Sequence, residues 1–256
     1  MGQSASTDHP NGTPLRAPLG APTGAPLGTS NEPLTEAEKS SIRAIVFDTE
    51  TTDLKGVAVQ IAFGCYDRFG NLVRNFNFYF KLPPGYRIEP GAKAIHKIEE
   101  SYLDQHGLDT EWVLLVLTEF AQVCGQVLAQ GGRIVAHNAS FDCGVIFRTW
   151  DAHANHLIQT VQSASVSART RSMLAITTPP PNPFVGFSDK TFCTMISSKH
   201  YVLAKNKLGR IKNPRNVELY SYLYDGQIPE GELHDASTDI RVTAMSYFKG
   251  IQVGWW

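Results

Sequence analysis

A chain of 256 residues, 42% of them apolar, suffices for one ordinary to large domain with a real core, plus a tail. Its 23 Lys and Arg against 24 Asp and Glu leave a net charge of −1, which excludes a global basic field as the means of holding a polyanion. No run reads as long and apolar enough to span a bilayer, and the N-terminus lacks the basic-then-apolar layout of a signal peptide. Cys65, Cys124, Cys143 and Cys193 are far apart with no C-x-x-C pair. That spacing predicts reduced thiols in an intracellular, non-secreted protein rather than a zinc site or a disulfide framework.

Residues 1–40 are rich in Pro, Gly, Ala, Ser and Thr, with a short imperfect repeat from Ala17 to Gly28. Such a segment buries too little apolar surface to offset its ordering entropy, so a disordered tail is expected. Its start, Met1-Gly2-Gln3-Ser4-Ala5-Ser6, fits the N-myristoylation pattern. A lone acyl chain on Gly2 would give only weak membrane association. Thr35 to Glu38 has the spacing of a helix capping box.

The domain is expected over 41–256. Ile42 to Asp48 reads as a buried strand, and Val57 to Tyr66 and Leu72 to Phe80 as two more. The second and third are separated by the turn-forming Asp67-Arg68-Phe69-Gly70-Asn71, so three sequential antiparallel strands are predicted. Pro83-Pro84-Gly85 breaks the sheet, and Ala92 to Ile98 leads towards a helix. Thr110 to Ala129 is predicted as a long helix, with Trp112, Leu115, Val116, Glu119, Phe120, Val123 and Val127 as its core-packing stripe. Gly131 and Gly132 stop it. Arg133 to Ala136 is the next buried strand and delivers His137 and Asn138 to the sheet edge, where a helix opens with Asn138 or Ser140 as cap and Asp142 in its first turn.

Residues 152–188 hold a polar stretch and the breaker Thr177 to Pro183, longer than a simple connection, and are read as an insertion or flap. Lys190 to Ile196 is assigned the fifth strand, and Asn216 to Asp225 an amphipathic helix ended by Gly226. Between Ala152 and Val217 the only acid is Asp189, against Arg169, Arg171, Lys190, Lys199, Lys205, Lys207, Arg210, Lys212 and Arg215. A near-neutral protein thus carries a cationic flank suited to phosphate contact. Asp235 is predicted to cap the last helix, leaving His234 just outside it.

The chemistry lies in three stretches. In Asp48-Thr49-Glu50-Thr51 the period-two alternation of a strand points both carboxylates the same way. His137-Asn138-Ala139-Ser140-Phe141-Asp142 and His234-Asp235-Ala236-Ser237-Thr238-Asp239 add two acids and a histidine. Together, in this order, they resemble the DEDDh 3′-to-5′ exonucleases (DnaQ-like, RNase H-like fold), with motifs D-x-E, a mid-chain Asp and H-x-x-x-x-D. The resemblance covers roughly residues 41 to 250. It implies a three-layer α/β fold, a mixed five-stranded sheet flanked by helices.

Four carboxylates repel one another unless cations sit among them, and hard oxygen ligands with no soft partner suit Mg²⁺, with Mn²⁺ as substitute. A dimetal site about 3.5–4 Å across would clamp the attacking and leaving oxygens of a phosphodiester. The resemblance implies that Asp48 bridges both ions, that Glu50 and Asp239 complete one shell, and that Asp142 holds the second ion directly or through water. His234 has the profile of the general base, since a histidine can accept a proton from water at neutral pH. Five residues apart inside a helix, His234 and Asp239 would diverge by about 140°, so His234 works best from outside it.

By resemblance, Thr51, Thr52 and Leu54 line the terminal nucleotide. Ala92 to Ile98 is similar to the family's A-x-x-I-H-G-I element, which makes His96 and Ile98 substrate candidates, with Lys97 standing where many relatives have Gly. Asn138 and Phe141 join that set, the aromatic beside Asp142 matching one that packs against bases in the family. The activity expected is metal-dependent 3′-to-5′ exonucleolysis of single-stranded nucleic acid, DNA somewhat favoured, releasing nucleoside 5′-monophosphates with no covalent intermediate. Two alternatives stand beside it: a proofreading subunit bound to a polymerase or repair complex, and a catalytically silent nucleic-acid-binding scaffold.

Overall fold

The computed structural model describes residues 34–163, 180–231 and 234–256. The acylation pattern at Gly2, most of the expected tail, and residues 164–179 of the expected insertion lie outside the described residues.

Thr35 opens α1 (Glu36–Ser41) with a reciprocal capping box: its hydroxyl accepts from Glu38 N–H, and the Glu38 carboxylate accepts from Thr35 N–H. The chain then builds β1 (Ala44–Thr51), β2 (Ala58–Tyr66) and β3 (Leu72–Tyr79), paired antiparallel in sequence. Two short helices, α2 (Pro90–His96) and α3 (Glu100–His106), lead into α4 (Thr110–Ala129). β4 (Arg133–Ala136) pairs parallel with β1 and feeds α5 (Ala139–Ser163); β5 (Thr191–Cys193) pairs parallel with β4. α6 (Thr194–Val202), α7 (Asn216–Leu223) and α8 (Ala236–Gln252) follow. The five strands stand in the order β3-β2-β1-β4-β5, the mixed sheet that was expected.

The sheet separates two cores. Ile45 and Phe47 on β1 pack with Val113, Leu117 and Phe120 of α4 and Val145 and Ile146 of α5. Ala44 and Val46 face the other way, against Ala236, Ile240, Ala244 and Tyr247 of α8. Alternation along one strand therefore decides which layer each side chain meets. Residues 180–187 return to the first core, where the Phe187 ring lies 5.9 Å from that of Phe47 and the Phe184 ring 6.2 Å from that of Phe120.

Several expectations move. The buried arc of α4 is Val113, Leu114, Val116, Leu117, Phe120, Cys124 and Val127, whereas Trp112 and Leu115 are exposed, so the core stripe is rotated from the one predicted. This helix does have the length and apolarity to cross a membrane, and its buried arc packs in the core between the sheet and α5. The approach through Ala92 is itself helical, because Pro90 has a fixed backbone suited to a first helical turn. The fifth strand is three residues long rather than seven, and Thr194 already belongs to a helix. Residues 152–163 continue α5 without a break. All four cysteines are free.

Candidate active site

β1 outruns its parallel neighbour. Pairing with β4 covers Ala44 to Val46, so the following residues of β1 project beyond the ladder on that side. There Asp48 and Glu50 continue the face that meets α8, and Asp239 in the first turn of α8 comes to them. One oxygen from each of Asp48, Glu50 and Asp239 lies within 4.8 Å of the others. Asp142 reaches the same strand from the opposite layer: its Oδ1 accepts from Thr49 N–H at 3.1 Å and from the Thr49 hydroxyl at 2.7 Å. Asp142 thus satisfies the Thr49 amide that β4 is too short to pair, and Thr49 in turn fixes Asp142 beside the other three acids.

Burial and mutual repulsion raise these acids above the ordinary carboxylate range. Burial, then Asp239 and Asp142, push Glu50 up to about 8. Burial pushes Asp142 up to about 7 against the opposing hydrogen bonds from Thr49. Asp48 is also raised well above the usual carboxylate range, by burial first and then by Asp142, Asp239 and Glu50. Asp239 is also raised by burial, although the hydrogen bond from His234 N–H, at 3.0 Å, opposes it. An all-oxygen donor set that is costly to ionise alone fits hard divalent cations, which would relieve that repulsion.

His234 is exposed, sits just outside α8 and has a left-handed backbone with φ 65°. Its neighbour Asp235 is the helix cap, accepting from Thr238 N–H at 3.2 Å. The other Asp235 oxygen accepts from the Gln60 side-chain amide at 2.8 Å. Gln60 is fully buried on β2 directly opposite Glu50, and it also reaches Asn77 at 2.9 Å and the Tyr79 hydroxyl at 3.2 Å. Sequence reasoning missed it. The available signal was a lone amide within a wholly buried strand, because such a group must find partners.

The substrate candidates divide. Leu54 is 83% exposed beside the site. His96 is buried; its Nδ1 accepts from Ile98 N–H at 3.0 Å, which puts the ring proton on Nε2, and the imidazole also faces the Thr51 backbone. Burial holds His96 below the usual histidine range. Lys97 is left-handed at φ 60°, the backbone that favours the Gly of many relatives. Ile98 packs with Val59, Ile88 and Leu103, and Phe141 with the α4 and α5 core. The Asn138 carbonyl accepts from Phe141 N–H at 2.8 Å at the start of α5. The Thr51 hydroxyl lies 3.0 Å from the carbonyls of Asp53 and Val57.

Thr52 is fully buried: its hydroxyl accepts from Val57 N–H, and a side chain on Gly56 would collide with it. The structure gives Thr52 the task of shaping this loop rather than an open face for a ligand. Asp53 likewise turns inward on the loop, accepting from Lys55 N–H at 2.6 Å.

His137 is structural. Its Nε2 donates to the Pro214 carbonyl, its Nδ1 accepts from the Thr194 hydroxyl, each at 3.0 Å, and burial lowers it to about 4. Asn216 donates to the Asp239 carbonyl at 3.2 Å and to the Thr243 hydroxyl at 3.0 Å, docking α7 on α8 behind the acids.

A layered mixed sheet with an acidic cluster at the end of its central strand defines an exonuclease of the DnaQ-like, RNase H-like class, and residues 45–247 match the exonuclease family RNase_T. The chain belongs to this family. It is 32% identical over 112 residues to the PolC-type DNA polymerase III of Streptococcus thermophilus, covering 43% of this chain and 7% of that protein. It is 31% identical over 108 residues to the DNA polymerase III subunit epsilon of Salmonella typhimurium, covering 40% of this chain and 41% of that one. The chain therefore spans less than half the length of these relatives. In fold it resembles Escherichia coli exonuclease I in complex with a dA16 oligonucleotide, at TM-score 0.56 and 17% identity over 82% of this chain and 40% of that one.

Proposed function

We propose that the protein removes nucleotides one at a time from the 3′ end of single-stranded nucleic acid, DNA somewhat favoured, releasing nucleoside 5′-monophosphates by metal-assisted hydrolysis. The observation that carries this is the convergence of Asp48, Glu50 and Asp239 within 4.8 Å, with Asp142 fixed to the intervening Thr49. In this reading Asp48, Glu50, Asp239 and Asp142 hold two Mg²⁺ ions, with Mn²⁺ able to replace them. The bound ions would supply Lewis acidity and charge neutralisation to the phosphodiester.

The remaining steps belong to the chain. His234, exposed outside α8, takes the proton from the attacking water at an imidazole nitrogen. The turn that tethers it runs from Asp239 through the Asp235 cap to Gln60, which limits where the imidazole can travel. No Ser or Cys nucleophile is required, and burial pushes the Cys65 and Cys143 thiols up to about 12.

A 5′-labelled single strand of DNA and its RNA counterpart, digested with Mg²⁺, Mn²⁺ or EDTA, test this. A metal-dependent ladder shortening from the 3′ end is expected, abolished in Asp48→Ala and slowed about 10²- to 10⁴-fold in His234→Ala. No ladder with any metal, while both polymers still bind, would replace the enzyme by a binding scaffold. A second reading, service to a polymerase as proofreader, is favoured by the DNA polymerase III names of the relatives. Co-purification with a polymerase would support it.

A further inference from the structure

The segment joining α6 to α7 folds back on itself as a small hairpin. Lys205 and Ile211 form a bridge, Lys212 N–H donates to the Ala204 carbonyl at 2.8 Å, and Asn206 N–H to the Arg210 carbonyl at 2.9 Å. The Asn206 side chain accepts from Leu208 N–H at 2.9 Å and Arg210 N–H at 3.0 Å, and Gly209 supplies the left-handed residue at φ 74°. Its polar backbone is therefore satisfied from within, so the tip holds a shape without a core beneath it.

The tip is also charged. Lys205, Lys207 and Arg210 are exposed and have no acidic partner among the described residues, whereas Lys212 and Arg215 share Glu218. The chain on either side of the hairpin is tied to His137, the residue that follows β4: α6 begins at Thr194, which binds His137, and Pro214 accepts from the same imidazole. Two residues on, Asn216 holds the Asp239 carbonyl. A cleft of about 630 Å³ lies along this base, lined by Val202, Lys205, Arg215, Tyr222 and Ile228 among others.

We propose that this hairpin and cleft are the track for the strand upstream of the bond being cut. Phosphates lie against Lys205, Lys207 and Arg210, and a base lies on the exposed ring of Tyr222. The proposal rests on the nuclease reading above and adds where the polymer runs. The physical need is plain: a cluster of acids repels a polyanion, so affinity for a long strand must come from cations placed outside that cluster. Aromatic faces set among such cations hold successive bases without regard to sequence.

The test uses the full chain and two substrates: the p-nitrophenyl ester of thymidine 5′-monophosphate, which engages only the acidic site, and a single strand of about 20 nucleotides. For Lys207→Ala/Arg210→Ala the ratio of kcat/KM on the strand to that on the ester should fall about tenfold or more. The slope of log affinity against log salt should shrink by about 1.4, two contacts at about 0.7 each. DNA and RNA strands should lose alike, because the contacts are to phosphate. An unchanged ratio and salt slope, with ester turnover intact, would overturn the track alone. Turnover of neither substrate by the unaltered protein would overturn the nuclease reading, and the track with it.

Discussion

The side-chain amide of Gln60 donates to Asp235 across 2.8 Å, joining residues 175 apart in the chain. One partner sits in β2 opposite Glu50, the other caps α8 immediately after His234. The bond fixes the candidate base relative to the strand that carries the acids.

Gln60→Leu removes that link and leaves Asp235, Asn77 and the Tyr79 hydroxyl short of a partner. A stability loss of about 1–3 kcal/mol is expected from the stranded groups. If Gln60 positions His234, kcat should drop by about 10²-fold, with the Mg²⁺ concentration for half-activation and the KM for a strand little altered. A lower thermal midpoint with kcat preserved would leave Gln60 a purely architectural role.

Thr49→Val keeps the backbone donor to Asp142 and removes the hydroxyl at 2.7 Å. The carboxylate then has one orienting bond instead of two. Outer partners of this kind govern metal affinity and activity by about 10- to 100-fold. Titration of activity with Mg²⁺ should show the half-activation point moving upward by that order; an unmoved curve would mean the amide alone suffices.

The raised carboxyls predict how stability follows pH without metal. Glu50 and Asp142 hold protons up to about 8 and about 7, whereas in the unfolded chain they ionise near 4. Between those limits the folded chain binds more protons, so stability falls as pH rises; their contribution is complete below about pH 4 and lost above about pH 8. Thermal midpoints in EDTA should therefore drop from about pH 5.5 to about pH 8.5, and Mg²⁺ should raise the midpoint most at the alkaline end. Asp48→Asn should raise the alkaline EDTA midpoint and abolish the Mg²⁺ response. A level EDTA profile would contradict this account.

What the chain discloses without coordinates is what local periodicity encodes. α4 and β4 fall on their expected residues because a long apolar repeat ends at two glycines and a β-branched run follows. The acids are legible because their three motifs, in order, resemble the DEDDh exonucleases, while strand alternation and helix capping place each one; the structure adds the distance at which they meet. β5 is not legible as drawn: it is three residues long, and the apolar residues after it trace no helical stripe to announce α6. The rotation of α4 escapes for a related reason, since Trp112 and Leu115 keep helical spacing but miss the arc that faces the sheet. Thr49, Gln60 and Asn216 stay hidden because their partners are remote in sequence, and hydrogen bonding between distant segments leaves no period to read.

The acids are delivered from both sides of the sheet, Asp142 by α5 and Asp239 by α8. In the proposed reading, metal capture thus requires both layers to be docked at once. As the polypeptide is synthesised, Asp48, Glu50 and Asp142 emerge long before Asp239, and an ordered N-terminal half lacks one of the acids and the base. In the proposed reading the site is therefore incomplete until α8 is seated.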